Sequence, residues 1–314
     1  MTAIFEFQQV TKRFGKQTAL DQVSFAGHSG EVVALLGENG AGKTTALKIL
    51  LGLLPPDSGT PRVMGLDSQV HGAEIRRRVG YMPDRPALYE WMTVAEIGWF
   101  AAGFYPLGYQ PRYQHLIQRF ELPNDKPIKS LSKGMQGKVS LALAMAHEPE
   151  LLVLDEPTSG LDPLVRREFL ESMVDVAATG RTVLLSSHQM TEVERVADKI
   201  AIFRGGRLVL FEPLEVLKSH VHEVVITLDG VETIPPELPA GAKLLAAQRQ
   251  DRQWQLLVRD LDESGRISLS ANPMHLDLEM RTPSLEQIFV SCMRMTLETP
   301  TESAYGGARL PPIR

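Results

Sequence analysis

One cysteine, Cys292, in 314 residues excludes an intramolecular disulfide and a metal site built from several thiolates, and it fits a reducing compartment. No apolar run approaches the roughly 18 to 20 residues that cross a bilayer. The longest candidates are short stretches such as Leu141 to Ala146. The opening MTAIFEFQQV has neither the basic start nor the apolar core of a secretory signal, so a cytosolic protein is expected. A basic excess is missing too: 33 Lys and Arg stand against 38 Asp and Glu, a net charge of −5, which argues against nucleic acid as a partner. No internal repeat is visible, and a composition of 43% hydrophobic and 23% charged residues is that of an ordinary globular protein. At roughly 150 residues per domain, the length predicts about two domains.

The first two-thirds alternates strands and helices. Glu31 to Leu36 is an apolar run ending at a glycine-rich turn, and Lys43 to Leu54 carries apolar residues at helical spacing. Leu151 to Leu154 and Thr182 to Leu185 are further short apolar runs of the kind that form buried parallel strands. Gly205-Gly206 predicts a hairpin turn. From about Ser219 the texture changes to short alternating runs, Glu223 to Thr227, Trp254 to Val258 and His275 to Met280, which predict a small α+β domain over 219–298 after a first domain over 1–218. Residues 299–314, rich in Pro, Gly, Thr and Ser, are expected to form a loose tail.

Gly37-Glu38-Asn39-Gly40-Ala41-Gly42-Lys43-Thr44 fits G-x-x-x-x-G-K-[ST], between a buried strand and a helix as its chemistry requires. Its glycines let backbone N–H groups curl round phosphates at a helix N-terminus, Lys43 would reach the β- and γ-phosphates of a nucleotide, and Thr44 would ligate Mg²⁺. Leu151 to Leu154 delivers Asp155 and Glu156 at its C-terminal end, where open α/β sheets bind ligands. Two carboxylates ending a buried strand are costly unless a cation compensates them. Asp155 is therefore expected to hold Mg²⁺ and Glu156 to polarise the attacking water.

Between these elements stands Leu131-Ser132-Lys133-Gly134-Met135-Gln136, followed by the apolar helical run Val139 to Ala146. Here the chain resembles the ATP-binding cassette (ABC) ATPases, and the resemblance covers roughly residues 2 to 215. It implies an α/β P-loop fold with a RecA-like core, an antiparallel β subdomain and a helical signature subdomain. Phe14 matches the aromatic that stacks on adenine; Gly37, Asn39, Gly40, Ala41, Gly42, Lys43, Thr44 and Thr45 match the phosphate loop. Ser159 to Asp162 matches the loop that crosses a dimer interface, and His188 matches the switch histidine at the γ-phosphate. Ser132 and Gly134 are implied to close the ATP site of a second chain in a head-to-tail homodimer. Two positions depart from the family pattern: Lys133 replaces a glycine, and Asp84 stands where the Q-loop glutamine is usual, which makes it a further candidate for Mg²⁺.

These departures, with Pro283 to Phe289, resemble the bacterial ABC-2-type exporters. That implies an ATPase at the inner face of the cell membrane, coupled to separately encoded membrane permease subunits. Two rival readings use the same motifs: a soluble ABC ATPase acting on nucleic acid or ribosomes, and a regulatory ATP-binding module. Nine of the twenty aromatic residues fall between Tyr81 and Tyr113. They either pack the helical subdomain or grip a membrane subunit, with Tyr89, Trp91 and Tyr105 the expected surface contacts. His220, His222 and His275 have no metal-site spacing. The C-terminal domain is expected to brace a dimer or regulate it.

Overall fold

The computed structural model describes residues 3–105, 107–228, 235–272 and 274–294. The chain divides into two compact units, Met1–Ser219 and His220–Arg314. The tail expected over 299–314 lies outside the described residues.

In the first unit, β1 (Ala3–Phe14) and β2 (Gln17–His28) pair antiparallel. After β3 (Val32–Gly37) and α1 (Lys43–Leu50), β4 (Ser58–Val63) and β5 (Leu66–Asp67) complete that sheet in the order β2-β1-β4-β5. α2 (Gly72–Arg78) leads into β6 (Val79–Met82), and α3 (Val94–Ala102), α4 (Tyr109–Arg119) and α5 (Lys133–Met145) form a helical group. β7 (Leu151–Asp155), α6 (Pro163–Ala178), β8 (Thr182–Ser187), α7 (Met190–Val196), β9 (Lys199–Arg204), β10 (Arg207–Pro213) and α8 (Leu214–His220) follow. The second sheet has the order β10-β9-β3-β8-β7-β6, parallel except for the edge strand β10. Every residue of β3, β7 and β8 is buried, which is why their sequences are continuous apolar runs rather than alternating ones.

One core joins the two sheets: Phe7 of β1 stacks on Phe25 of β2 at 4.7 Å, and Phe25 meets Phe203 of β9 edge-on at 6.0 Å. The helix expected to reach Leu54 stops at Leu50. Gly52 turns left-handed (φ 63°), its N–H donates to Ile49 O at 3.0 Å, and the Leu53 N–H donates to Lys48 O at 2.9 Å, a glycine-terminated helix end that periodicity alone does not reveal. Serine and threonine hydroxyls set two helix starts. Thr93 forms a reciprocal cap with Glu96 at α3, and the Ser132 hydroxyl accepts from Met135 N–H at α5.

The second unit is a four-stranded antiparallel sheet, β12-β13-β11-β14, built from β11 (Val221–Leu228), β12 (Lys243–Gln250), β13 (Gln253–Arg259) and β14 (His275–Arg281), with α9 (Glu263–Ser270) and α10 (Leu285–Arg294). Its core holds Val224, Ile226, Trp254, Leu256, Val258 and Leu269.

Candidate active site

β3, β7 and β8 lie side by side, and their C-terminal ends bring three loops together. The loop after β3 wraps into α1 through Gly42, whose φ of 108° is left-handed. A β-carbon there would lie 2.4 Å from Ala19 O, so only glycine lets the loop approach β2. Lys43 is buried. Its Nζ donates to Gly37 O at 2.7 Å and to Glu38 O at 3.3 Å, and it lies 3.4 Å from Glu156 Oε1. Asn39 and Gly40 are exposed, Ala41 is buried, and Thr45 is half-buried in the first turn of α1.

Asp155, at the end of β7, is 1% exposed. Its Oδ1 accepts from Thr44 Oγ1 at 3.1 Å and from Ser186 Oγ at 2.6 Å. Burial raises the pKa of this carboxyl, and the charges of Glu156 and Asp84 raise it further, whereas the two hydroxyls lower it. Glu156 adopts φ 48°, unusual for a residue with a side chain, and its N–H is held by Ser186 Oγ at 2.9 Å. Its Oε2 lies 2.7 Å from His188 Nδ1, whereas Oε1 is buried with no hydrogen bond and only the longer Lys43 ion pair. Lys43, Thr44, Asp155, Glu156 and His188 thus form one cluster.

The other expected residues lie elsewhere. Phe14 ends β1, 49% exposed, with Lys12 Nζ 5.5 Å from its ring centroid. Asp84 is exposed, 3.9 Å from Arg85, and its charge acts on Asp155 and on Tyr81. Ser132 caps α5, and Gly134 packs where a β-carbon would meet Val165 at 3.2 Å. Among the described residues no hydrogen bond or ion pair joins Ser132 or Gly134 to the Lys43 cluster. Ser186 was not singled out in the sequence, although two serines ending an apolar strand just before His188 are a readable signal.

The cluster fits a bound nucleotide and a divalent cation. The Lys43 ammonium is turned onto backbone carbonyls, a buried carboxylate has only hydroxyl donors, and a carboxylate oxygen of Glu156 has no hydrogen bond. A cation beside Asp155 would offset the cost of its burial.

Of the nine clustered aromatic residues, Tyr109 and Tyr113 are fully buried, their hydroxyls donating to Leu143 O and Val94 O. Tyr89 and Trp91 are exposed as expected. Tyr105 is instead half-buried, stacked between Tyr109 and His147, while Trp99 and Phe104 are exposed. Tyr81, Tyr89, Phe100, Phe104, Tyr105 and Tyr109 line a groove of about 520 Å³.

Residues 20–159 match the family model described as ABC transporter. The chain is 36% identical over 266 residues to Nod factor export ATP-binding protein I of Ralstonia nicotianae, spanning 82% of this chain and 81% of that one. The Nod factor export ATP-binding protein I of Sinorhizobium fredii is 33% identical over 292 residues, 91% and 84% of the two chains. A solved structure of an ATP binding subunit of an ABC transporter, 34% identical, superposes with a TM-score of 0.64 over 69% of this chain and 92% of that one. The chain belongs to the ABC transporter family. It is an ATP-binding subunit with the P-loop ABC ATPase fold, hydrolyses ATP and energises a transporter.

Proposed function

We infer that this chain is the motor of an exporter, that it works as a homodimer on separately encoded permease subunits at the inner face of the cell membrane, and that the Lys43 cluster is its hydrolytic site. The observation that carries the site is the 2.7 Å contact between Glu156 Oε2 and His188 Nδ1 beside a buried Lys43 and Asp155. Glu156 accepts a proton from the attacking water, with His188 orienting that carboxylate and facing the γ-phosphate. Lys43 and the N–H groups of Gly40, Ala41 and Gly42 hold the β- and γ-phosphates, Thr45 follows in the same turn, and Phe14 stacks on adenine. Thr44, Asp155 and Asp84 would hold Mg²⁺, which when bound neutralises charge building up on the phosphate oxygens.

That Ser132 caps α5 and Gly134 packs on Val165, neither hydrogen-bonded to this cluster, supports a site completed by a second copy. Two such sites would close together, exclude water and open after hydrolysis. The Nod factor export relatives support the export direction. The aromatic groove supports docking of a short permease segment. Among the described residues no helix is long and apolar enough to cross a membrane, so the permease is assigned to other chains. The second unit is proposed to brace or regulate the dimer. Measuring ATP turnover of Glu156→Gln and His188→Ala tests the site. Loss of turnover with ATP still bound supports it, and near-normal turnover removes both residues from catalysis.

A further inference from the structure

Two carboxylates among the described residues are less than a tenth exposed, Asp155 and Glu192. Asp155 belongs to the nucleotide site; Glu192 stands on α7, outside it. Glu192 Oε2 accepts from the buried Thr158 Oγ1 at 2.7 Å, and Oε1 lies 2.9 Å from Arg166 Nη1. The second contact is an ion pair without hydrogen-bond geometry, since Nη1 donates to Gln189 Oε1 at 2.8 Å and Glu192 Oε1 has no hydrogen-bond donor. Arg166 Nη2 donates to Leu161 O at 3.0 Å.

The connections have a pattern. Thr158 and Leu161 follow Glu156 in the chain, and Gln189 follows His188. The two segments that carry the paired catalytic groups are therefore clamped by one charge pair, its carboxylate buried and its guanidinium half-buried. Such a pair is weak evidence for stability, because apolar side chains of the same volume commonly serve as well. What apolar side chains do not supply is directed bonds to two loops at once. Glu156 needs such bonds, because its left-handed backbone persists only where its surroundings over-determine it.

We propose that Arg166 and Glu192 are positioning residues for ATP hydrolysis, setting the separation of Glu156 and His188 through Thr158, Leu161 and Gln189. The proposal rests on the hydrolytic roles given to Glu156 and His188. Arg166→Lys keeps the charge but not the fork that reaches two acceptors, and Thr158→Val keeps the volume but not the hydroxyl. Thr158→Ser restores the hydroxyl.

The experiment compares kcat and equilibrium Mg-ATP affinity of the full chain with these three substitutions and Glu156→Gln. Arg166→Lys and Thr158→Val are expected to lower kcat at least tenfold with ATP affinity within twofold of the wild type, and Thr158→Ser to recover most of the loss. Turnover within twofold of the wild type in Arg166→Lys and Thr158→Val overturns the proposal, as does an equal fall in affinity and kcat without rescue by serine. If Glu156→Gln abolishes turnover while these two do not, the positioning role alone falls. If Glu156→Gln keeps turnover, the assignment of Glu156 falls and the positioning role with it.

Discussion

Glu156 shares its carboxylate between two partners: His188 Nδ1 is 2.7 Å from one oxygen, and Lys43 Nζ is 3.4 Å from the other. Three loops, after β3, β7 and β8, meet at this side chain. Replacing it with Gln keeps its shape and removes its basicity. Glu156→Gln is expected to lower kcat by about 100-fold or more while Mg-ATP affinity stays near wild type, read by phosphate release and equilibrium nucleotide binding.

Lys43 acts differently, since its ammonium is aimed into the phosphate loop and bonded to Gly37 O and Glu38 O. Lys43→Ala removes a charged donor to phosphate worth about 1.5 to 3 kcal/mol. ATP affinity should fall by roughly 10- to 100-fold, measured by titration with a fluorescent nucleotide.

Asp84 places a negative charge near Asp155, where it raises the pKa of that carboxyl together with burial and Glu156. A cation held by both carboxylates would relieve this repulsion. Asp84→Asn is expected to raise the Mg²⁺ concentration for half-maximal turnover several-fold, and an unchanged Mg²⁺ requirement would remove Asp84 from the metal site.

His147 stacks on Tyr105 at 4.4 Å, and burial lowers its pKa to about 4. A histidine depressed in the fold binds fewer protons there than in the unfolded chain, whose value is near 6.5. The stability it contributes is complete above pH 6.5 and is lost as the pH falls towards 4. The melting temperature of the wild type should drop over that interval, and His147→Phe, which keeps the stack, should drop less.

Gly98 tests the helical group. A β-carbon there would lie 2.0 Å from Tyr113 Cε1, and the Tyr113 ring is fixed by its hydroxyl bond to Val94 O at 2.8 Å. Gly98→Ala is expected to destabilise the fold by about 1 to 3 kcal/mol in urea denaturation.

The cluster proposed as the nucleotide site was legible in the sequence because its residues lie in local patterns. Gly37 to Thr44 is contiguous, and Asp155 and Glu156 sit at the end of an unbroken apolar run, so β3, α1, β7 and β8 and their loops follow from pattern. What was not legible depends on contacts distant in the chain. The early end of α1 depends on Gly52 packing on Ser68 O, where a β-carbon would lie 2.3 Å away. Tyr105 turned inward because His147, 42 positions on, offers it a ring to stack against. The Thr158, Arg166, Gln189 and Glu192 network joins residues with no shared spacing, and each taken alone reads as an ordinary polar side chain on a helix or in a loop.

Ser132 caps α5 and shares no hydrogen bond with the cluster around Lys43, and a second copy is proposed to complete each ATP site. Size-exclusion chromatography of Glu156→Gln with and without Mg-ATP tests this most directly. A monomer without nucleotide and a stable dimer with Mg-ATP are expected, while wild-type protein returns to monomer as it hydrolyses. A Glu156→Gln protein that binds ATP yet stays monomeric under both conditions would contradict the proposal.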